Sequence, residues 1–483
     1  MLSLGIFVVI GGVWAVIYFF DCFLRSCHNY PYIWLQNRLG TSISFGYARW
    51  YTTSLNRIFQ RTGTWKPKLL QKWFGLGAVC ALILVLPAIF LLAMTAVKSF
   101  RSNTTAADQV LAPAFPGVNL PFNEIIYYLI TLLLCSIIHE FGHAVAAIRE
   151  DVRVMGSGLM LLGIIPAAFV DLPTDHLRQL PPWQQLRIFC AGVWHNITLA
   201  IIAASILATL PFTTLIAYQT GSAISVTAIQ EGSPTSGRAG LVVGDQLLSI
   251  GDCPLYDIDR WYKCLTLATV SIGYCADIHF VGSFTDSNKN FAKHADIVDC
   301  CPANTAAQNL CFRQIDSSNQ HTFVCMPARQ VLSQAPSTCN ISSDCPSSRY
   351  ACLFPSTDAS TKLLQIRRQD KDDVLFLGHP GDLFYSVTVS NYIPKWSFVP
   401  ARLPGMIEIF CRYIISFSGG LAVLNVVPCV ALDGQWITQA TIDLLFSNLI
   451  PSRNKRNTIY MFLMIVGTIL LSLNIILALF TLT

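Results

Sequence analysis

Residues 125–148 read IIYYLITLLLCSIIHEFGHAVAAI. The run is long enough for a helix that crosses a hydrocarbon core, which takes about 20 apolar residues. Three ionisable side chains interrupt it: His139, Glu140 and His143. Positions four apart lie on one face of an α-helix, so both imidazoles can reach a single ion. Neutral imidazole is a good zinc ligand, and a glutamate between two such histidines can serve as a general base. Ionisable groups at membrane depth are costly without partners and by default mark a functional site. The stretch is therefore read as a transmembrane helix with His139 and His143 as metal ligands and Glu140 as base.

The composition agrees with a membrane setting. Of 483 residues, 53% are hydrophobic and 12% charged, where a soluble domain is roughly a quarter charged. So few charges cannot coat a soluble particle of this size, which excludes a soluble cytoplasmic enzyme. The net charge of +5 sits beside apolar runs and reads as membrane flanking, not as a nucleic-acid footprint. Further runs long enough to span lie at 4–20, 75–97, 184–212 and 458–481, and a sixth, 403–430, is broken by Gly419, Gly420 and Pro428. The first lacks a basic leader and a small-x-small cleavage site, so it is read as a retained anchor. The expected fold is a polytopic α-helical membrane protein of about six spans.

Residues 22–73 carry eight Lys/Arg, which places that loop in the cytosol by the positive-inside rule. Segment 98–122 holds the sequon Asn103-Thr104-Thr105, consistent with the opposite side. Residues 213–402 form the only large polar stretch, with a second sequon at Asn340, expected to carry glycan, and ten of the seventeen cysteines. That density suits disulfides in an oxidising lumen better than a zinc knuckle at Cys300, Cys301 and Cys311. A third sequon, Asn196-Ile197-Thr198, falls inside an apolar span, where no glycan is expected. Residues 222–252 read as a small β-rich module, and 239–250 resemble the AGL..GD.I.SI stretch of PDZ domains, which hold extended peptides by strand addition. The remainder of such a module would come from 374–395, after a Cys-rich insertion. The chain thus divides into N-terminal spans with a basic loop (1–120), a membrane core with the HExxH helix (121–212), a lumenal PDZ-like and Cys-rich insertion (213–402), and a second membrane part (403–483).

Arg149, Glu150, Asp151 and Arg153 mark the aqueous end of the metal helix. At the helical rise, His143 and His139 lie about 9 and 15 Å below Arg149. Tracing the topology back from the lumenal stretch makes that end cytosolic, so the site lies inside the membrane near the cytosol. A catalytic zinc takes three protein ligands and keeps one position open. Asp433 is the first candidate for the third, because Pro428 and Gly434 interrupt the helix beside it and irregular backbone at membrane depth lines buried sites. Its plainer role would be a helix N-cap. His195 is the competing ligand.

His139-Glu140-x-x-His143 in a transmembrane helix, the PDZ-like insertion and the distal Leu432-Asp433-Gly434 together resemble the site-2 protease family of intramembrane zinc metalloproteases. The Cys-rich insertion is most similar to that of animal members acting on membrane-bound transcription factors. The resemblance covers most of the chain beyond residue 120. The family motif N-x-x-P-x-P-x-L-D-G-G is matched at Asn425, Pro428, Leu432, Asp433 and Gly434, and departs at Val430 and Gln435. The resemblance implies one Zn²⁺ per chain on His139, His143 and Asp433, with Glu140 as base; the Asn425 amide can contact the substrate backbone or make an interhelical hydrogen bond. It also implies a membrane-embedded β-hairpin around 155–166, whose edge can pair with an unwound substrate; a re-entrant packing loop is the plainer reading of the same residues. The implied substrates are membrane-anchored transcription factor precursors of sterol-regulatory and ER-stress types, already trimmed in the lumen, in Golgi or ER membranes. A CAAX-processing protease would need a downstream Glu ligand, and neither Glu231 nor Glu408 has that family's surroundings. A non-proteolytic lumenal peptide receptor with a structural metal would have no need of Glu140. A zinc transporter usually shows ligands spread over several spans.

Overall fold

The computed structural model describes residues 2–101 and 124–481, apart from 234, 236–239, 271–272, 286–291, 295–296, 303–304, 306–307, 316–320, 359 and 397. The sequon at Asn103, and Pro234 and Ala239 of the PDZ-like stretch, lie outside the described residues. The chain divides into two compact units, Met1–Thr209 with Ile407–Thr483, and Leu210–Met406.

The first unit is built on long helices: α1 (Leu2–Ser26), α2 (Pro67–Arg101), α3 (Ile125–Arg149), α4 (Ala191–Thr214), α5 (Leu403–Val426), α6 (Asp433–Phe446) and α7 (Arg453–Thr481). All but α6 are long and apolar enough to cross a membrane, six among the described residues. The chain is a polytopic helical membrane protein. Ile83, Leu86 and Phe90 on α2, and Ile465 and Ile469 on α7, point outward and exposed. Faces of that kind are stable against lipid and would aggregate in water. The inward faces use small side chains instead. Ala144, Ala146 and Ala147 of α3 and Ala191 of α4 are fully buried, which lets helix backbones approach closely.

Two spans differ from the sequence expectation. The 184–212 run is not one helix: Pro182–Phe189 forms a short helix of its own, and α4 begins after Cys190. Gln184, Gln185 and Arg187 make the first piece too polar to share the span. The 403–430 run is continuous through Gly419 and Gly420 and ends only at Val426, before Pro428. A glycine costs a helix interior about 1 kcal/mol, while proline removes a bond and clashes with the preceding turn.

An antiparallel sheet of order β1-β2-β3-β4 lies beside α3, from β1 (Thr41–Ser44), β2 (Tyr47–Thr52), β3 (Gly156–Leu162) and β4 (Ile165–Asp171). The last two form a hairpin that turns at Gly163, whose φ of +60° is left-handed and so favours glycine. β2 pairs with β3 from Tyr47–Leu162 to Thr52–Ser157. The basic segment 22–73, read from its charges as a loop, therefore supplies half of this sheet. β4 is an edge strand fastened to α3: Ala168 N–H donates to Ser136 Oγ at 2.8 Å and Val170 N–H to Glu140 Oε2 at 3.0 Å.

The second unit is β-rich and cross-linked. Its ten cysteines form five disulfides, Cys253–Cys264, Cys275–Cys345, Cys300–Cys311, Cys301–Cys325 and Cys339–Cys352. Cys300, Cys301 and Cys311 are thus bonded partners and not a knuckle. The seven remaining cysteines are free thiols, all in the helical unit. Strands Ile224–Ile229 and Gln246–Ile250 share one sheet with Lys362–Arg368, Lys371–Gly378 and Val387–Ser390, on the far side of the Cys-rich stretch in sequence. The Cys-rich stretch makes its own five-stranded sheet. Buried Asp245 ties the turn before Gln246 to its neighbours, at 2.8 Å from Arg368 Nη1 and 2.6 Å from Lys371 Nζ.

Candidate metal centre

The Nε2 atoms of His139 and His143 lie 3.1 Å apart. Both face one carboxylate oxygen: Asp433 Oδ2 is 2.9 Å from His139 Nε2 and 3.1 Å from His143 Nε2. The two histidines are each 6% exposed. Asp433 reaches them through a break in the chain. α5 stops at Val426, Ala431 takes a left-handed φ of +68°, and α6 starts at Asp433. That conformation is uncommon for alanine and strained. At Gly434 a Cβ would strike the Val427 carbonyl, so the tight return requires glycine. Asp433 is not a cap: the N-cap position is Leu432, with no side-chain cap bond.

Three donor atoms at 2.9–3.1 Å from one another fit a single small cation. Tetrahedral zinc with ligand bonds of about 2.0–2.1 Å would set them about 3.3 Å apart. Gly192 on α4 forms the floor of the cradle, where a Cβ would come within 2.6 Å of His139 Nε2. The donor set of two imidazoles and one carboxylate is also the right chemistry for zinc.

Other contacts orient the rings. His143 Nδ1 lies 2.8 Å from the Ile188 carbonyl oxygen. A carbonyl only accepts, so Nδ1 carries the proton and Nε2 offers its lone pair. Ile188 belongs to the short helix Pro182–Phe189, held to the end of α3 by the part-buried pair Arg187 Nη1–Glu150 Oε1 at 3.0 Å. His139 Nδ1 lies 3.1 Å from the side-chain amide of Asn196. Sequence reasoning weighed Asn196 only as a sequon. Its spacing of four from Gly192 was the available signal for a shared helix face.

Glu140, His143 and Asp433 line a cavity of about 590 Å³ that continues past Gln185 and Gln439 to Arg453 and Tyr460. Its wall is polar enough to hold water. His195 stands apart from the three donors: its Nδ1 is 2.8 Å from the Ala191 carbonyl and its ring packs 5.8 Å from Phe74. Asn425, half-buried near the end of α5, does not line the cavity, and among the described residues its side chain makes no hydrogen bond. Asn340 is exposed in the disulfide-bonded unit, its N–H donating to Asp344 at 2.8 Å.

The model of peptidase family M50 matches residues 127–371, from the start of α3 through the hairpin and α4 into the disulfide-bonded unit. A protein of Arabidopsis thaliana described as a membrane-bound transcription factor site-2 protease homolog is 24% identical over 464 residues, covering 84% of this chain and 86% of its own.

Proposed function

The chain belongs to peptidase family M50, the site-2 protease family of metalloproteases, and on that premise we propose that it is an intramembrane zinc metalloendopeptidase. His139, His143 and Asp433 hold one zinc. A carboxylate beside two neutral imidazoles lowers the net charge that must be buried in a low dielectric. A bound zinc supplies Lewis-acid chemistry, acidifying a water and polarising a carbonyl oxygen. Glu140, its Oε2 anchored on the Val170 amide, takes the proton of the attacking water and passes it to the leaving amine. A substrate helix must unwind first, because its carbonyls are bonded internally. The edge strand β4 offers such a segment its main-chain carbonyls, since its Ala168 and Val170 N–H groups are already bonded to α3, and the unengaged amide of Asn425 offers another.

The proposed substrates are membrane-anchored transcription factor precursors of the sterol-regulatory and ER-stress types, cut after a prior lumenal cleavage so that a cytosolic fragment is released. The relative's description supports a membrane-bound transcription factor as substrate class. In this proposal 121–212 and 403–483 form the catalytic core, with zinc near the cytosolic side of a Golgi or ER membrane. Residues 213–402 are lumenal, with a PDZ-like module and a glycan on Asn340. Five disulfides in that stretch and free thiols elsewhere support opposite redox surroundings for the two units.

The observation that carries the reading is the convergence of His139, His143 and Asp433 on one point, beside Glu140 in a polar cavity. Its test is the zinc content of the purified full-length protein against His143→Ala. About one zinc per chain in the wild type and none in the variant supports it. A wild type without zinc, or equal zinc in both, overturns it.

A further inference from the structure

We propose that Asn196 is a positioning residue for the metal, its side-chain carbonyl accepting the Nδ1–H of His139 and so turning the lone pair of Nε2 towards the ion. The proposal rests on the metal reading above. Asn196 is fully buried and sits on α4 one turn beyond Gly192, the residue that leaves room for the imidazoles. Its amide nitrogen is 3.1 Å from His139 Nδ1, while its Oδ1 is buried without a partner among the described residues.

That arrangement suits a histidine whose proton is on Nε2, pointing at Asp433. An ion on Nε2 moves the proton to Nδ1, and two N–H donors would then face each other across 3.1 Å. The oxygen and nitrogen of a side-chain amide are nearly identical in shape. A half-turn of the Asn196 amide brings the orphaned Oδ1 to Nδ1–H and removes the conflict. His143 gets the same service from the Ile188 main-chain carbonyl, which no substitution can remove. Asn196 is the half of this support that a side chain supplies, and a polar residue that only joined two helices would not need to be an acceptor.

Partners of this kind contribute about 10–100-fold in metal affinity. The test is zinc affinity of the full-length protein by chelator competition, with the visible spectrum of the Co²⁺-substituted form as a second readout. Asn196→Leu keeps the heavy-atom count and the branching at Cγ, and removes the acceptor. It is expected to bind zinc about 10–100-fold more weakly and to change the Co²⁺ spectrum, with unfolding of the metal-free protein unaltered. Asn196→Asp keeps the acceptor and removes the donor, and is expected to bind at least as tightly as wild type. It tests the proposal alone should the Leu variant fail to fold. Wild-type affinity in Asn196→Leu, or an Asp variant weakened about 10-fold or more, overturns the proposal and leaves the metal reading standing. A wild type that binds neither metal overturns the metal reading itself.

Discussion

His143 and Asp433 are 290 residues apart in the chain and 3.1 Å apart in space. The first sits mid-helix on α3. The second hangs on a strained return between α5 and α6, where Ala431 is left-handed and Gly434 presses on the Val427 carbonyl. In the proposed centre the third ligand thus comes from the last part of the chain, after the whole disulfide-bonded unit in sequence.

Closure by a carboxylate has a direct test. Asp433→Asn removes the charge and keeps the shape, and is expected to lose most bound zinc together with cleavage. His195→Ala is expected to retain zinc, since His195 is bonded to Ala191 and packed on Phe74. Zinc surviving in Asp433→Asn but vanishing in His195→Ala would reverse the assignment.

Glu140 is assigned to proton transfer and not to the metal. Glu140→Gln should keep its zinc and lose cleavage by ~10²–10⁴, the usual effect of removing a general base. Metal analysis and single-turnover cleavage of one preparation decide it. A zinc-free Glu140→Gln protein would make the residue a ligand.

The site was legible where its chemistry is local. Two histidines four apart around a glutamate need only helical geometry to share a face, and Pro428 with Gly434 announced a break near the distal acid. Features set by tertiary pairing were not legible. β2 lies in a segment whose Lys and Arg dominate its reading, although Tyr47, Arg49 and Tyr51 alternate with Ala48 and Trp50 as a strand would. Cys190 is apolar, so hydropathy runs across the helix break it marks. Gly419 and Gly420 suggested a break that α5 does not have, because a lipid-embedded backbone keeps its internal bonds. The link from Asn196 to His139 joins two helices, and no single-helix pattern predicts which amide meets which ring.

The five disulfides should differ in worth by the length of chain they close. Cys275–Cys345 spans 70 residues and Cys300–Cys311 spans 11. Loop-closure entropy makes the longer link more stabilising by about 1.6 kcal/mol. Replacing each pair with alanines, and reading hydrogen-exchange protection of the strands in Leu210–Met406, should rank them in that order. The reverse order would show that loop length is not what sets their contribution.

Asp245 gives the same unit an acid-sensitive point. Burial pushes its carboxyl up, but Lys371, Arg368 and the Val242 amide outweigh burial and hold it below the ordinary carboxylate value. A depressed folded value means stabilisation that is complete above the unfolded pKa of about 3.9 and is lost as pH falls through the folded one. Amide protection in Gln246–Ile250 should thus be flat from neutrality to about pH 5 and fall below about pH 4. Asp245→Asn should lower protection at neutral pH by roughly 1–3 kcal/mol, by leaving the half-buried Arg368 guanidinium without its anion. It should also flatten the acid limb. An unchanged acid limb in that variant would assign the sensitivity to other carboxylates.

Gly192 separates steric room at the metal from helix stability. By propensity alone, Gly192→Ala should stabilise α4 by about 1 kcal/mol. By geometry the new Cβ would sit within 2.6 Å of His139 Nε2 and closer still to His143 Nε2, so the imidazoles must part or the ion must leave. The expected outcome is a protein that unfolds no earlier than wild type in the metal-free form, binds zinc at least 10-fold more weakly and loses cleavage in proportion. Gly420→Ala is the matched control, since that glycine lies inside α5 with nothing within 4 Å of an added Cβ. It should share any gain in helix stability and leave zinc untouched. Equal zinc affinity in the two variants would show that the helices can separate enough to admit a methyl group, and that the closeness of α4 to α3 is not what holds the ligands together.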